Sequence, residues 1–460
     1  MYERFHIGTK PSPLAYTLPA KFDVQARKLR LAAMLVHEAF EFRFKKDVVL
    51  SRPCIYGVFG GRFGGFKPIK EKCVGCMRCV QEYPHIMTVK LSEPYKRLGD
   101  SYWTPDSIFT ILYEASTGKI PVKGMGYKGS FGGEGFDDMW TDMSEIVRPT
   151  RDGVYGREYI STVVDIGRKP QSLEFGRDNV LGAVETVPVP IPIIFDLPLG
   201  SNEQVLRAAS SAAAELKTFS VAPLGDSSGE PSTNNVPFIS GKNDAEGRAE
   251  FLKKSRIIEY DPDKPGLRNK LREKTRSVVF AARLPLDDEV EEVALQLVRE
   301  GVEALHVYAD YHGMDYSRSP RHIARALKTL HGRLVKETVR DQVTIIASGG
   351  ITLAEHVPKA VICGADLVAV DTSLLVALQA EFQGETRSRT DCKLNPRAID
   401  PAWGSQRIVN LMASWHDQLV EILSAMGIRD VRRLRGDVGR SMLDSELREQ
   451  AFEGMPWATV

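Results

Sequence analysis

Apolar positions along the chain follow two different rhythms. From Val187 to Val370, short continuous apolar runs alternate with amphipathic stretches. The runs are 191–195, 219–222, 256–259, 278–282, 305–309, 343–347 and 366–370. Between them, stretches such as 202–217, 287–300 and 321–339 repeat apolar residues at helical spacing. Strands apolar on both faces, separated by helices, predict a parallel sheet. An eighth, irregular strand fits near 313–317, which favours a closed (β/α)8 barrel over an open sheet. The polar segment 225–245 reads as a surface insertion after the second strand, placed where it could act as a lid. Beyond the barrel, 406–426 predicts an amphipathic helix with Ile408, Leu411, Met412, Trp415, Leu419 and Leu423 on one side. The charged tail after it, with Arg432, Arg433 and Arg435, reads as solvated or docking.

The N-terminal part has another character. Residues 23–46 predict a docking helix that puts Leu29, Ala32, Leu35, Val36, Ala39, Phe40 and Phe44 on one side. Val48 to Cys54 reads as a short strand ending in a turn, followed by a glycine-rich run from Gly57 to Gly65. Such glycines let backbone pass close to a bulky object. Then comes Cys73-Val74-Gly75-Cys76-Met77-Arg78-Cys79, with Tyr83-Pro84 four residues later. C-x2-C-x2-C is the spacing with which bacterial ferredoxins grip an iron–sulfur cube, continued there by x3-C-P. Tyr83 stands where the fourth cysteine belongs. Cys54 is the candidate replacement in a four-iron cluster; the alternative is a three-iron cluster on three cysteines, with Tyr83 a spectator. Structural zinc prefers two separated C-x2-C pairs. Cys363 and Cys392, far away in sequence, read as small buried hydrophobes.

Five segments follow: 1–50, a wrapping segment and docking helix; 51–95, the cluster segment; 96–185, irregular; 186–427, the barrel; 428–460, the tail. In the irregular segment, Gly124, Gly126 and Gly129 lack the preceding strand of a dinucleotide fingerprint. Arg148, Arg151 and Arg157 could bind an acidic substrate or fix this segment by salt bridges. A formal net charge of +1 gives no pull toward nucleic acid or an anionic membrane. No apolar run approaches the roughly 20 residues of a membrane span, and the N-terminus lacks the pattern of a secretory signal. Six cysteines, three of them clustered at metal-type spacing, fit a reducing, cytoplasmic setting.

Two stretches carry the chemistry of the barrel. Ser348-Gly349-Gly350 ends the seventh strand, and Thr372-Ser373 ends the eighth. In phosphate-binding barrels the loops after these strands hold the phosphate by backbone amides. Here the chain resembles a known family. From about Phe136 to Arg435 it is similar to the flavin-binding synthase domain of glutamate synthase. The likeness rests on Phe136-Asp137-Asp138, Ala347-Ser348-Gly349-Gly350-Ile351, Gly364-Ala365-Asp366, Thr372, and Gln406-Arg407-Ile408-Val409-Asn410 with Trp415. The resemblance implies a barrel that binds FMN, its phosphate at Gly349-Gly350 and Thr372. It also implies reduction of the imine from ammonia and 2-oxoglutarate, with electrons arriving through an iron–sulfur cluster from a ferredoxin or partner subunit.

The departures are informative. The region 375–396, where the family keeps its cluster cysteines, holds only Cys392. The N-terminal loop would replace it, as in short single-chain archaeal-type relatives. The chain starts Met1-Tyr2, without a cysteine nucleophile, so no glutaminase activity is expected. Arg283 stands where a strand-four lysine is expected; its guanidinium could stabilise an anionic reduced flavin but cannot donate a proton at neutral pH. After strand five comes Tyr308-Ala309-Asp310-Tyr311-His312-Gly313, and Asp371 replaces the glycine of strand eight. The candidates around the flavin are Arg283, Tyr308, Asp310 and His312, with His312 either the proton donor or a structural residue. The other reading is a barrel that has lost catalysis, in a non-catalytic electron-transfer or assembly subunit of a larger redox complex.

Overall fold

The computed structural model describes residues 5–45, 48–49, 54–121, 135–141, 159–170, 186–223, 234–240, 249–264, 266–275 and 278–443. They form two compact units: 15–108, and 1–14 together with 109–460. Arg148, Arg151, Arg157, the glycines at 124, 126 and 129, and the tail beyond 443 lie outside the described residues.

In the larger unit eight parallel strands close a barrel, as the apolar runs predict. They are β1 (Ile193–Asp196), β2 (Ser220–Pro223), β3 (Asn235–Ile239), β4 (Ile257–Tyr260), β5 (Val279–Pro285), β6 (Ala304–Tyr308), β7 (Thr344–Ser348) and β8 (Leu367–Val370). Closure comes from β8 pairing with β1, Val368 opposite Ile193. The eighth strand is not at 313–317, which is a loop, but β3, inside the segment read as an insertion. Pro237 and the polar Asn234-Asn235 disguise it, since proline and asparagine are depleted in strands. The count therefore shifts by one: Arg283 lies on β5 and Tyr308 closes β6. What remains of the expected lid, 225–233 and 241–245, lies outside the described residues.

Helices cover the barrel where the 3.6-residue spacing places them. Glu203–Glu215 is capped by Asn202, whose side chain accepts from Val205 N–H at 3.0 Å. The 25-residue helix Pro401–Ala425 packs on it and starts five residues before the predicted 406, where Asp400 caps it and Pro401 supplies its first position. Its buried polar residues tie distant chain to the barrel. Arg407 donates to Ala377 O at 2.6 Å and Ser12 O at 2.9 Å, and Asn410 donates to Lys10 O at 2.8 Å and Ala115 O at 3.0 Å. Trp415 donates to the buried Glu114 at 3.0 Å; burial pushes that carboxyl up to about 7 against the pull of its Gln418 and Trp415 bonds. After the helix, Val431 and Leu434 are buried and Arg435 donates to Asp366 at 2.8 Å.

In the smaller unit, strand Phe22–Ala26 pairs antiparallel with Met87–Leu91, and helix Lys28–Glu41 packs beside them. The packed side of that helix is Leu31 and Glu38, with Met34 and Leu35 against the same core. Leu29 is 89% exposed and Phe40 69%, and Val36 and Phe44 are exposed too, so most of the predicted apolar side faces outward. The buried side includes Glu38 because Tyr83 donates its hydroxyl to Glu38 Oε1 at 2.7 Å. Val48 and Val49 are helical rather than strand.

Candidate functional site

The smaller unit brings all four predicted cysteines to one pocket. Cys54, Cys73, Cys76 and Cys79 line it together with Val24, Tyr56, Val58, Phe59, Val74, Met77 and Val89. Local geometry explains the convergence. Gly75 sits at φ +70°, where a Cβ would run 2.2 Å from the Phe22 ring, so the loop turns between the first two cysteines only with glycine there. Met77, at φ 60°, reverses the chain into the short helix Arg78–Glu82, which carries Cys79. Burial pushes the Cys73 and Cys79 thiols up, and the neighbouring sulfurs push the same way. Amides of Gly75 and Val80 pull down on Cys73 and Cys79 respectively.

Such crowding of thiols in an apolar wall disfavours ionisation until a cation sits among them, and metal binding then releases their protons. The donor set thus fits an iron–sulfur cluster, with Cys54 the fourth thiol. Among the described residues, no three of these sulfurs lie within 4.8 Å of one another. A tetrahedral zinc, with Zn–S near 2.3 Å, would draw them closer than about 4 Å. Tyr83 does not line the pocket; its ring joins the apolar core and its hydroxyl is committed to Glu38.

The barrel mouth is built differently. Arg283, on β5, makes a two-pronged pair with Asp196 at the end of β1, at 2.9 and 2.8 Å, and reaches Glu259 of β4 at 3.1 Å. His306 of β6 joins Glu259 at 2.7 Å to Ser348 at 3.0 Å. Arg389 enters from a segment beyond β8. It donates to Ala309 O at 2.5 Å, Asp196 and Ser348 at 3.0 Å, and Asp371 at 3.1 Å. Its guanidinium also lies 5.2 Å from the Tyr308 ring centre and 4.9 Å from that of Tyr311. Burial alone would raise the Asp196 pKa, but Arg283, His306 and Arg389 hold it well below the carboxylate range.

The 387–390 segment divides the mouth. Arg387 pairs with Asp310 at 2.7 Å, and its carbonyl accepts from Tyr311 N–H at 2.9 Å. A cavity of about 290 Å³ lies on the side of Arg283, Phe238, Tyr308 and Tyr311. Another, of about 490 Å³, lies on the side of Asp310, Asp315, Tyr316 and Arg387. Arg283 and Tyr308 therefore face a cavity together, whereas Asp310 lines the second and is spent on a turn, accepting from His312 N–H at 3.0 Å and Met314 N–H at 2.7 Å. His312 is buried and lines neither cavity.

The predicted phosphate cradle is assembled but filled. Gly349, at φ +106°, passes so close to the end of β6 that a Cβ would sit 2.5 Å from Asp310 O. Gly350 follows at φ +70°. Ser348 Oγ is shared by His306 and Arg389, and Ser373 Oγ donates to Ile351 O at 2.7 Å. Thr372 donates its N–H to Asp371 Oδ1 at 2.5 Å and its hydroxyl to the same oxygen at 3.1 Å. Asp371 is fully buried, and burial pushes its carboxyl up to about 6 against the pull of Arg389 and the Thr372 amide. None of Ser348, Gly349, Gly350, Thr372 and Ser373 lines either cavity. The residues present thus do not fit a phosphate in this arrangement: an aspartate holds the place of the anion.

Sequence reasoning missed Asp196, Glu259, His306 and Arg389. For the first three a signal exists, one charged or imidazole residue inside a strand that is otherwise apolar, as in Ile257-Ile258-Glu259-Tyr260. Arg389, on a loop, has no periodicity to give it away.

Residues 308–429, from the end of β6 to just beyond the long helix, match the family described as the conserved region in glutamate synthase. An archaeal-type glutamate synthase [NADPH] of Dehalococcoides mccartyi is 26% identical over 80% of this chain and 86% of its own length. That of Thermotoga sp. strain RQ2 is 24% identical over 89% and 94%. The archaeal glutamate synthase [NADPH] of Methanocaldococcus jannaschii is 34% identical, but over 26% of this chain and 24% of its own. Among solved structures, a flavocytochrome b2 double mutant with pyruvate bound gives a TM-score of 0.40 at 13% identity, over 65% of this chain and 82% of that one. The recombinant flavin-binding domain of baker's yeast flavocytochrome b2 gives 0.41 at 12%, over 62% and 77%. In the larger unit no helix among the described residues, nor in the smaller, is long and apolar enough to cross a membrane. From Tyr308 to Arg429 the chain is similar to the conserved region of glutamate synthase, and along most of its length it is similar to archaeal-type glutamate synthases at 24–26% identity.

Proposed function

We propose that this protein is an iron–sulfur oxidoreductase of the glutamate synthase type, acting on CH–NH2 chemistry and taking its electrons in at the four-cysteine centre. The observation that carries the proposal is the convergence of Cys54, Cys73, Cys76 and Cys79 on one apolar pocket, in a chain whose barrel bears the glutamate synthase region. An iron–sulfur cluster bound there supplies one-electron transfer. This chain's own contribution is to hold the thiolates with the Gly75 and Val80 amides and to exclude water with Val24, Val58 and Phe59. A ferredoxin or a partner subunit is the donor we infer.

The family likeness supports FMN as the cofactor of the barrel. In the mouth, Arg283 would stabilise negative charge that develops in the 290 Å³ cavity, held in place by Asp196 and Glu259. The Thr372 donors are already taken by Asp371, so they are not open to a flavin phosphate. The reaction is tested by ammonia-dependent conversion of 2-oxoglutarate to glutamate with a reduced ferredoxin. Formation of glutamate supports the proposal; a protein complete in iron that forms none removes this substrate pair.

A second reading, an electron-transfer or assembly subunit without catalysis, is favoured by one observation. The ionic groups of the mouth, Asp196, Glu259, Arg283, Asp371 and Arg389, are all paired with one another. Anaerobic preparations separate the two: cluster absorbance without turnover of any imine supports the second reading.

A further inference from the structure

At the end of β8 the amide and hydroxyl of Thr372 already serve an anion, the carboxylate of Asp371. We propose that Asp371 is a built-in competitor for a cofactor phosphate, with Arg389 as its counter-ion, so that these two residues set which flavin the barrel accepts. The inference rests on the reading of the barrel as one of the flavin class.

Three observations carry it. Asp371 Oδ1 takes both the amide and the hydroxyl of Thr372, the donors that an incoming phosphate oxygen would need. Asp371 Oδ2 takes one arm of Arg389, whose other bonds run to Asp196, Ser348 and Ala309 O. A phosphate entering here would meet a carboxylate buried away from solvent, and would have to compete with it for Thr372 and Arg389. Beside the pair, Gly349 and Gly350 lie buried at positive φ, with Gly349 packed on the backbone of Ala309 and Asp310.

Removing the carboxylate frees the Thr372 amide and hydroxyl and one contact of Arg389, which stays held by Asp196, Ser348 and Ala309 O. Asp371→Gly therefore converts the cradle from self-occupied to empty, while Asp371→Asn keeps the side-chain volume and one acceptor but drops the charge. A flavin that lacks the phosphate has nothing to lose from Asp371, so riboflavin and FMN are distinguished only when that residue is gone.

The test is fluorescence titration of the purified full chain with riboflavin and with FMN, on wild type, Asp371→Gly, Asp371→Asn and the double variant Asp371→Gly with Arg389→Ala. Circular dichroism first establishes that each is folded; if Asp371→Gly is not, Asp371→Asn takes its place. The expected result is that wild type shows no preference for FMN, and that Asp371→Gly prefers FMN by about 100-fold, the scale of two charge-assisted hydrogen bonds gained. Arg389→Ala added to it lowers that preference, because the guanidinium then serves the phosphate. A wild type that already prefers FMN by about 100-fold leaves the flavin reading standing and overturns the competitor. Variants that bind neither flavin overturn both.

Discussion

The two candidate sites of this protein differ in what their polar atoms do. In the cysteine pocket four thiols converge on a space walled by valine, phenylalanine and tyrosine, and their mutual crowding is relieved only by a cation. In the barrel mouth the buried charged groups are paired with one another: Arg283 with Asp196 and Glu259, Arg389 with Asp196 and Asp371. The first offers a set of soft donors, and in the second the buried charges answer one another. A buried network of that kind is rigid and specific when complete, and costly when one member is removed.

The largest effect is expected at the cysteines. Cys79→Ser should abolish electron uptake, with ferredoxin-dependent reduction falling at least about 100-fold, because a cubane corner loses its thiolate. Stopped-flow reduction checks this, and a rate within a factor of a few of wild type would erase the contrast between the two sites.

Next comes the network. Asp196→Ala leaves Arg283 and Arg389 buried without their shared carboxylate, which should cost about 3–5 kcal/mol. Urea unfolding followed by tryptophan fluorescence measures it; a loss under about 1 kcal/mol would mean that the mouth is wetter and less coupled than its distances imply.

Gly349→Ala is a smaller perturbation of the same place. A methyl group 2.5 Å from Asp310 O, at φ +106°, should destabilise by about 1–3 kcal/mol. The glycine is there for backbone approach whether or not a phosphate follows. A neutral outcome in the same unfolding assay would argue that the β7 turn can shift.

The smallest expected effect is in pH dependence. The Asp371 carboxyl is raised from its ordinary value of 3.8 to about 6 in the fold. An acid whose folded pKa exceeds its unfolded one favours the fold below the unfolded pKa, and that contribution is lost as pH rises through 6. Relative to Asp371→Asn, wild type should lose on the order of 2 kcal/mol between pH 4 and pH 7. Parallel pH profiles for the two proteins would show that Arg389 keeps the carboxylate ionised throughout.

How much of this was legible in the chain follows the same contrast. The cysteine site is local: Gly75, Met77 and the short helix Arg78–Glu82 are set by neighbouring residues, so spacing alone points to Cys73, Cys76 and Cys79, and Cys54 lies 19 positions upstream across a glycine-rich turn. The barrel was legible from buried strands that are apolar on both faces, but β3 hid behind Pro237 and moved Arg283 and Tyr308 by one strand. The mouth was only partly legible, because its groups come from six places between Asp196 and Arg389 and meet only through closure of the barrel. The apolar residues of helix Lys28–Glu41 misled, since periodicity finds the richer stripe and not the one that packs; there Tyr83 chose the side with Glu38.

The central claim, that the four cysteines hold an iron–sulfur cluster with Cys54 as its fourth ligand, is tested most directly by electron paramagnetic resonance on anaerobically purified wild type and Cys54→Ser, alongside iron and acid-labile sulfide assays. The account predicts about four iron atoms per chain and a reduced four-iron signal in wild type, with loss of that signal or conversion to a three-iron one in the variant. A three-iron signal present in wild type and unchanged by the substitution would contradict it.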